Sequence, residues 1–370
     1  MLEGILVFVL LLGMLIFVHE LGHFLVAKKI GIYVHKFSLG FGPTLFGYKG
    51  KETEYVFAPI LLGGFVKMAG EITSSEDLPE DDGAEELTDE HLLKELSLPD
   101  ERKFFNRSVS ERIAVVVAGP LANFLAGIIV FSLIYLIGIP TIISRVGGVL
   151  ADTPAQVAGL QKGDLITAIN NEAVWRWHDM ASRIRESGGN TLAFTIDRDG
   201  EELLLEITPE IKGEDTSLKN YAVGIQISDD PQDVKNEYFN PLLAPWHGLN
   251  DAIDVVKGFF YGLFVFAKGE VASTDMVAGP IGIYRFGEKM ASLGIRQFLY
   301  FVGLISVNLA IINLFPVPIL DGGMIVFFLI EKIKGSPISI RTRELAQQVG
   351  LVLLLSLIIF AFYSDLVRSY

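Results

Sequence analysis

Long apolar stretches dominate the pattern of hydrophobic and polar positions along this chain. Four of them are almost free of charged side chains, and they run from Gly4 to Ala27, from Ile113 to Ser144, from Gln297 to Ile330 and from Leu345 to Ser364. A helix needs about 20 mostly apolar residues to cross the hydrocarbon core of a bilayer, so the sequence predicts four transmembrane helices. A fifth run, from Gly258 to Ala267, has only ten residues, and we expect it to lie in the membrane interface or to pack on the bundle.

The first apolar stretch has to be distinguished from a secretory signal peptide. A signal peptide has a basic flank before its apolar run and a small-x-small cleavage motif after it. Here Glu3 stands in the first flank, no such motif follows, and Lys28 and Lys29 lie at the far end. The pattern therefore favours an uncleaved transmembrane helix.

Lys and Arg residues are concentrated in the flanks of two predicted loops. They are Lys28, Lys29 and Lys36 after the first span, Lys103, Arg107 and Arg112 before the second, and Lys332, Lys334, Arg341 and Arg343 between the third and fourth. Loops rich in basic residues stay in the cytoplasm. This distribution predicts that both termini and the segment 145–296 face the outside of the cell membrane.

The segment 145–210, between the second and third spans, has the pattern of a soluble α+β domain. Alternating apolar residues predict strands from Leu192 to Ile196 and from Leu203 to Ile207, and a helix is predicted near Trp177 to Glu186. The stretch from Pro154 to Ile166 resembles the signature of PDZ domains, in the permuted form found in bacterial proteases. The sequence therefore predicts one PDZ domain.

The composition agrees with a membrane protein and excludes several classes of function. Hydrophobic residues make up 51% of the chain and charged residues 20%, whereas a soluble domain has about 25% charged residues. The absence of cysteine excludes a disulfide framework, a thiol nucleophile and a cysteine-ligated metal site. The net charge of −14 argues against binding to nucleic acid, which needs clustered Lys and Arg side chains.

The negative charge is concentrated in one segment. Residues 71–101 contain thirteen Asp or Glu residues and a single Lys, which gives −12 of the net charge of −14. This composition is typical of a solvated loop with little fixed structure. A role in binding a partner is the alternative.

Ionisable side chains inside a transmembrane helix cost several kcal/mol each unless they are paired or have a function. The first span carries three of them, in the motif His19-Glu20-Leu21-Gly22-His23. Residues i and i+4 of a helix lie on one face about 6 Å apart, so both imidazoles can bind one metal ion. The Glu is then placed to act as a general base. A purely structural cluster is the weaker alternative in an apolar helix.

A catalytic zinc usually has three protein ligands and a water molecule, so two histidines leave room for a third ligand. Asp321 is the only charged residue of the third span, and it follows Pro316 and Pro318. Prolines this close end a helix, and open backbone is tolerated in a membrane where it lines a cavity. Asp321 and the pair His19 and His23 are predicted to lie at similar depth. Capping of the next helix is another role for Asp321, and it is compatible with metal ligation.

Three features together resemble one family of membrane enzymes. They are the HExxH motif in the first span, the segment Asn-Leu-Phe-Pro-Val-Pro-Ile-Leu-Asp-Gly from Asn313 to Gly322 in the third, and the PDZ domain between them. The combination resembles the site-2 proteases, which are zinc intramembrane proteases, and within them the bacterial regulator-of-sigma-E proteases, in a single-PDZ form. Further similar segments are Phe37–Pro43, Gly63–Met68, Ala118–Phe124, Gly279–Ile283 and Ser306–Leu309.

The resemblance implies a fold and an activity. The fold is a polytopic α-helical membrane protein with four transmembrane helices, a membrane-associated β region and one inserted extracytoplasmic PDZ (α+β) domain. The activity is zinc-dependent cleavage of single-span transmembrane segments in the bacterial inner membrane, with anti-sigma factors or remnant signal peptides as substrates. The PDZ domain is expected to bind a peptide, and so to filter or recruit substrates. A monomer suffices for this arrangement.

The resemblance also assigns residues to the site. The Zn²⁺ ligands are His19, His23 and Asp321, and the general base is Glu20. The candidate substrate-binding residues are Asn313, Asn308, Gly63 and Gly64. The glycines belong to a β region that can add an extended substrate as a further strand, although a plain β-hairpin would also contain them. The alternative for the asparagines is hydrogen bonding between helices.

These assignments give a predicted order of segments. It is the first span with HExxH (1–28), the membrane-associated β region (29–70), an acidic cytoplasmic loop (71–108), the second span (109–144), the PDZ domain (145–210), an extracytoplasmic linker with interfacial helices (211–295), the third span (296–330), a cytoplasmic loop (331–344) and the fourth span (345–364). Two other classes fit less well. A metalloprotease with a soluble site would carry HExxH outside an apolar stretch, and a PDZ scaffold with a decayed site would lack one of the four centre residues.

Overall fold

The computed structural model describes residues 2–70, 97–211, 221–269 and 279–367. Most of the predicted acidic loop, residues 71–96, lies outside the described residues, and its prediction stays open. The chain divides into two compact units, of which the first combines Met1–Ile134 with Pro241–Tyr370 and the second is Tyr135–Asn240. Long helices dominate the described part of the first unit, and short strands that of the second.

The first unit begins with a long helix and a small sheet. Helix α1 is Leu2–Ile30, and strands β1 to β4 are Val34–Phe41, Phe46–Lys49, Glu54–Phe57 and Ile60–Met68. The strand order is β2-β3-β1-β4, with β1 parallel to β3 and antiparallel to β4. Strand β4 is an edge of this sheet and packs against α1. Helix α2, Val109–Ile137, follows.

The second apolar stretch forms a shorter helix than its composition predicts. The charge-free run extends to Ser144, but α2 ends at Ile137. Gly138 has a φ of +91°, a left-handed conformation that glycine adopts without strain at the end of a helix. Pro140 cannot donate a hydrogen bond to a further helical turn. Strand β5, Ile139–Ile142, begins there instead.

The second unit consists of short strands around one longer helix. After β5 its elements are β6 Val146–Val149, α3 Pro154–Val157, β7 Leu165–Ile169, β8 Glu172–Ala173, α4 Trp177–Glu186, β9 Leu192–Arg198, β10 Glu201–Ile207, β11 Glu210–Ile211, β12 Tyr221–Ala222, β13 Ile225–Ile227 and β14 Val234–Glu237. The main sheet has the order β10-β9-β7-β8. Met180 and Ile184 of α4 share a buried core with Phe194 and Ile196 of β9.

The predicted bounds of this domain, 145–210, are narrower than the compact unit. Strands β13 and β14 lie in what the sequence indicated as a linker, yet they pair with β6 and β5 at the start of the unit. Strand β13 has only three residues, which is too few to show an alternating pattern before its partner is known. The longer elements α4, β9 and β10 cover the positions that the sequence predicts.

Five further helices are described in the first unit. They are α5 Ala244–Ala267, α6 Pro280–Ser292, α7 Ile295–Asn313, α8 Asp321–Lys334 and α9 Ile340–Val367. Among the described residues, α1, α2, α7 and α9 are long and apolar enough to cross a membrane. The third predicted span is divided between α7 and α8, and Pro316 and Pro318 lie in the break.

The short apolar run from Gly258 to Ala267 belongs to the longer helix α5. This helix packs against α7, and Gly248 lies against Ser132 of α2. The rings of Phe259 and Phe315 are 5.9 Å apart, beside the break that follows α7. Phe259 thus packs on the bundle, most of the other residues of the run are exposed, and its place in the membrane interface stays a prediction.

Charged side chains connect the end of α1 with the β region and with the segment before α2. Arg107 donates a hydrogen bond to the carbonyl of Ile30 at 2.7 Å, and so satisfies an end group of the helix. Glu52, in the turn between β2 and β3, accepts hydrogen bonds from Lys28 and Arg102. These bonds, with that of Lys28 the larger, lower the pKa of Glu52 from its ordinary value.

A buried ion pair joins the start of α2 to the end of α8. Arg112 is 4% exposed and donates to both carboxylate oxygens of Glu331, at 3.0 and 2.5 Å. The guanidinium also lies 4.7 Å from the ring centre of Phe328. Since α8 begins with Asp321, this pair holds in place the helix that carries that carboxylate.

We expect Glu331→Leu to lower the free energy of unfolding by about 3–5 kcal/mol, because it leaves a buried guanidinium without its carboxylate partner. Thermal melting of the purified protein in detergent measures this effect. The double variant Arg112→Met/Glu331→Leu is expected to recover most of the loss, since it leaves no unpaired charge. Equal melting temperatures for Glu331→Leu and the wild type would contradict this role of the pair.

Candidate metal centre

Helix α1 places two imidazoles side by side. His19 and His23 are 9% and 8% exposed, and their Nε2 atoms are 3.2 Å apart. Asp321, the first residue of α8, brings Oδ2 to 3.1 Å from Nε2 of His19 and to 3.5 Å from Nε2 of His23. The fold thus brings together the three residues that the sequence predicts as ligands.

The spacing of these three atoms fits a tetrahedral zinc ion. Ligand atoms about 2.0–2.1 Å from such an ion lie about 3.3 Å from one another. The observed separations are 3.1, 3.2 and 3.5 Å. Oδ2 of Asp321 is buried and, among the described residues, has no hydrogen-bond donor. Acceptor atoms that converge in this way are stabilised by a cation between them.

Helix α2 orients the ring of His23. Its Nδ1 lies 2.8 Å from the carbonyl oxygen of Val115, which can only accept a hydrogen bond, so Nδ1 carries the proton. The neutral imidazole then has its lone pair on Nε2, the atom that faces His19 and Asp321. Metal-binding histidines usually have such a partner on the second ring nitrogen.

Small residues let α1 and α2 approach closely at this level. A Cβ atom on Gly22 would lie 2.2 Å from the carbonyl oxygen of Ala118 and 2.8 Å from Cβ of Ala122. A Cβ atom on Gly119 would lie 2.2 Å from Nε2 of His23. Gly22 therefore permits the contact between the helices, and Gly119 leaves the space that the ring of His23 occupies.

Glu20 lies between the three converging residues and the β sheet. Its carboxylate interacts electrostatically with His23, His19 and Asp321. On the other side, a Cβ atom on Gly64 of β4 would lie 3.0 Å from Cγ of Glu20. The candidate base is therefore next to both the candidate ligands and the edge strand.

The two asparagines predicted to bind substrate have different surroundings. Asn313 ends α7, and its Nδ2 is 3.5 Å from Nδ1 of His19. Asn308 donates to the carbonyl of Leu304 in its own helix at 2.9 Å, and it lines a cavity of about 490 Å³ between α5 and α7. Asn313 is thus beside the metal centre, whereas the amide nitrogen of Asn308 bonds its own helix.

The two predicted glycines face opposite sides of β4, as neighbours in a strand do. A Cβ atom on Gly64 would lie 3.4 Å from Cγ2 of Ile16 as well as close to Glu20, so this position faces α1. A Cβ atom on Gly63 would lie 2.0 Å from the ring of Phe41. Gly64 therefore faces α1 beside Glu20, and Gly63 packs on the other face of the sheet.

Sequence reasoning assigned no role to two residues of α2 that contact the histidines. Val115 contributes a backbone oxygen, so no side-chain pattern marks it. Asn123 places Nδ2 3.3 Å from Nδ1 of His19. A carboxamide in an otherwise apolar span is a signal that points to such a residue, because polar groups in membrane helices usually serve a function.

Known proteins match this chain over nearly its whole length. Residues 7–357 match the model of peptidase family M50. A protein of Mesorhizobium japonicum named as a zinc metalloprotease is 33% identical over 349 residues, which cover 92% of each chain. The regulator of sigma-W protease RasP of Bacillus subtilis is 29% identical over 426 residues, which cover 99% of each chain. The solved PDZ domain of an SdrC-like protein from Listeria monocytogenes is 23% identical, with a TM-score of 0.21, and covers 23% of this chain and 86% of its own.

Proposed function

Because this chain belongs to peptidase family M50, the site-2 proteases, we propose that it cuts single-span membrane proteins within their transmembrane segments. It is a zinc metalloprotease with several apolar helices. The observation that carries the proposal is the convergence of His19, His23 and Asp321. The two histidines lie on α1, a helix long and apolar enough to cross a bilayer, so the reaction they support takes place at membrane depth.

In this proposal His19, His23 and Asp321 are the ligands and Glu20 is the general base. Zinc bound there supplies a Lewis acid that makes water more acidic and polarises the scissile carbonyl. Glu20 takes the proton of the attacking water and passes it to the nitrogen of the leaving amide. Its carboxylate interacts electrostatically with all three ligand residues, which supports this role.

The β4 edge of the small sheet offers a way to hold an extended substrate. A helical substrate keeps its peptide groups bonded internally, so it has to unwind before water reaches a carbonyl. Among the described residues, β1 is the strand that pairs with β4, and Gly64 brings β4 against Glu20. We infer that the unwound substrate pairs with β4 as an added strand.

Single proline replacements in the substrate test this pairing. In an added strand, the N–H groups of alternate residues face β4, so prolines at every second position around the scissile bond should slow cleavage. Each removes one hydrogen bond, which corresponds to about a two- to tenfold loss of rate. Cleavage rates for a series of such substrates, followed by gel electrophoresis, measure the pattern. A uniform effect at all positions would exclude strand addition.

Asn313 is proposed to bind the substrate backbone beside the centre. Asn313→Leu is expected to lower kcat/KM by about tenfold, mainly through KM, because one hydrogen bond to the substrate is lost. Zinc content should stay at the wild-type level, since Asn313 is outside the ligand set. Steady-state kinetics and metal analysis of the same sample measure both quantities. Loss of zinc in this variant would instead make Asn313 part of the metal centre.

The sequence supports a proposal for orientation and partners. We propose that the chain lies in a bacterial inner membrane with both termini and the second unit outside the cytoplasm, because loops rich in Lys and Arg stay in the cytoplasm. The PDZ signature between Pro154 and Ile166 supports peptide binding by the second unit, which either filters or recruits substrates. The substrate classes are anti-sigma factors with one span and remnant signal peptides.

Cleavage of a model single-span substrate by the purified full chain in detergent tests the proposed function. We expect a cut inside the transmembrane segment, mapped by mass spectrometry of the products. A zinc chelator should abolish the cut, and added zinc should restore it. Cleavage confined to the soluble flank of the substrate, or activity that survives metal removal, would contradict the proposal.

A further inference from the structure

Both imidazoles of the metal centre have their second ring nitrogen against α2. For His23 the neighbour is the carbonyl oxygen of Val115, at 2.8 Å. For His19 the neighbour is the carboxamide of Asn123, whose nitrogen lies 3.3 Å from Nδ1. Asn123 is 0% exposed, and among the described residues its Oδ1 has no hydrogen-bond partner. The segment Ala118–Phe124 therefore carries a buried polar group that the proposed function leaves unexplained.

The chemistry of a metal ligand determines how this carboxamide is oriented. If Nε2 of His19 binds zinc, Nδ1 carries a proton and is a donor. The carboxamide nitrogen is also a donor, so the two groups as placed would repel each other. The oxygen and nitrogen of an amide differ by a half-turn about the last side-chain bond, and the hydrogen-bond network has to decide between them. Turning the carboxamide of Asn123 by a half-turn would put Oδ1 beside the Nδ1 proton of His19. The proton would then have an acceptor, and the buried Oδ1 would have a donor.

We propose that Asn123 is a positioning residue of the metal centre. Its Oδ1 accepts the Nδ1 proton of His19, which fixes the tautomer and the ring orientation that direct Nε2 towards the metal. This inference rests on the proposed ligand set of His19, His23 and Asp321. Helix α2 then orients both histidines, one through a backbone carbonyl and the other through a side chain.

The neighbouring Asn313 is a poorer candidate for this role. Its Nδ2 is farther from Nδ1 of His19, at 3.5 Å against 3.3 Å for Asn123, and the side chain is only half-buried. The backbone of Asn123 is held in place as well, because Ser306 donates to its carbonyl oxygen at 2.7 Å. One ring proton needs one acceptor, so Asn313 remains available to a substrate.

The zinc dissociation constant of the purified full chain, measured by competition with a chelator, tests the proposal. Asn123→Leu keeps the approximate volume and removes the acceptor, and we expect zinc to bind about 10–100-fold more weakly. Asn123→Asp restores an acceptor, and its affinity should be close to that of the wild type. Ser132→Ala is the matched control, because Ser132 is a buried polar residue of α2 that bonds its own helix at Ile128.

Unchanged zinc affinity in Asn123→Leu would overturn the proposal. A loss of zinc affinity in Asn123→Asp equal to that in Asn123→Leu would overturn it as well, because it would show that the amide nitrogen is the group required. Melting of the metal-free proteins shows whether Leu also disturbs folding; if it does, Asn123→Asp decides the question by itself. His19→Ala distinguishes a failure of the proposed ligand set from a failure of the positioning role of Asn123. If His19→Ala keeps zinc, the ligand set is wrong, whereas if only Asn123→Leu keeps it, the ligand set stands and the positioning role fails.

Discussion

Glu20→Gln is expected to lower the rate of proteolysis by about 10²–10⁴-fold, the usual contribution of a general base. Gln has nearly the same shape as Glu but cannot accept the proton of the attacking water. Zinc binding should remain at the wild-type level, because Glu20 is not one of the three residues whose ligand atoms converge. Single-turnover cleavage of a single-span substrate and metal analysis of the same preparation measure both effects.

Glu54→Gln provides a matched control for this variant. Glu54 lies in β3 of the small sheet, 4.0 Å from Lys36, and it belongs neither to the converging residues nor to the proposed base. It is expected to cleave at the wild-type rate. Residual activity of Glu20→Gln near the wild-type level would mean that another group takes the proton. Loss of zinc from Glu20→Gln would mean that Glu20 belongs to the ligand set.

The residues of the metal centre could be found in the sequence because local rules determine their placement. The spacing of His19 and His23 puts them on one face of any helix. Pro316 and Pro318 mark the end of α7, and thus the place where Asp321 starts a new helix. Each inference needs only the residues of one segment, and apolar length likewise identifies the membrane helices.

The surroundings of the centre depend on contacts between segments far apart in the chain. Val115 and Asn123 become relevant only once α2 lies against α1, and nothing within either segment specifies that neighbour. The same limit applies to β13, whose three residues form a strand by pairing with β6. The sequence therefore predicted the three residues that converge and the candidate base, while the α2 neighbours of the two histidines became visible only in the structure.

Gly119→Ala tests this contribution of α2 with a single methyl group. The three atoms nearest to the new Cβ all belong to the ring of His23, at 2.2, 2.5 and 2.8 Å, so the ring has to leave its position. It would then lose both the bond to Val115 and the approach of Nε2 to Asp321. Loss of an outer partner costs about 10–100-fold in metal affinity, so displacement of a ligand should cost more than about 100-fold, and proteolysis should fall with it.

Helix propensity by itself would make Gly119→Ala stabilising, which is opposite to the predicted effect. Ala is favoured over Gly inside a helix by about 1 kcal/mol, so any loss of function has to come from the contact. Gly258→Ala in α5 is the control: apart from neighbouring atoms of its own helix, no atom of the described residues lies within 4 Å of the added Cβ, and zinc affinity should not change. Gly119→Ala should also lower the melting temperature through this clash, and in a His23→Ala background it should not, because the ring it strikes is absent. Persistent destabilisation in that background, or full zinc affinity in Gly119→Ala, would show that Gly119 does not make room for the imidazole.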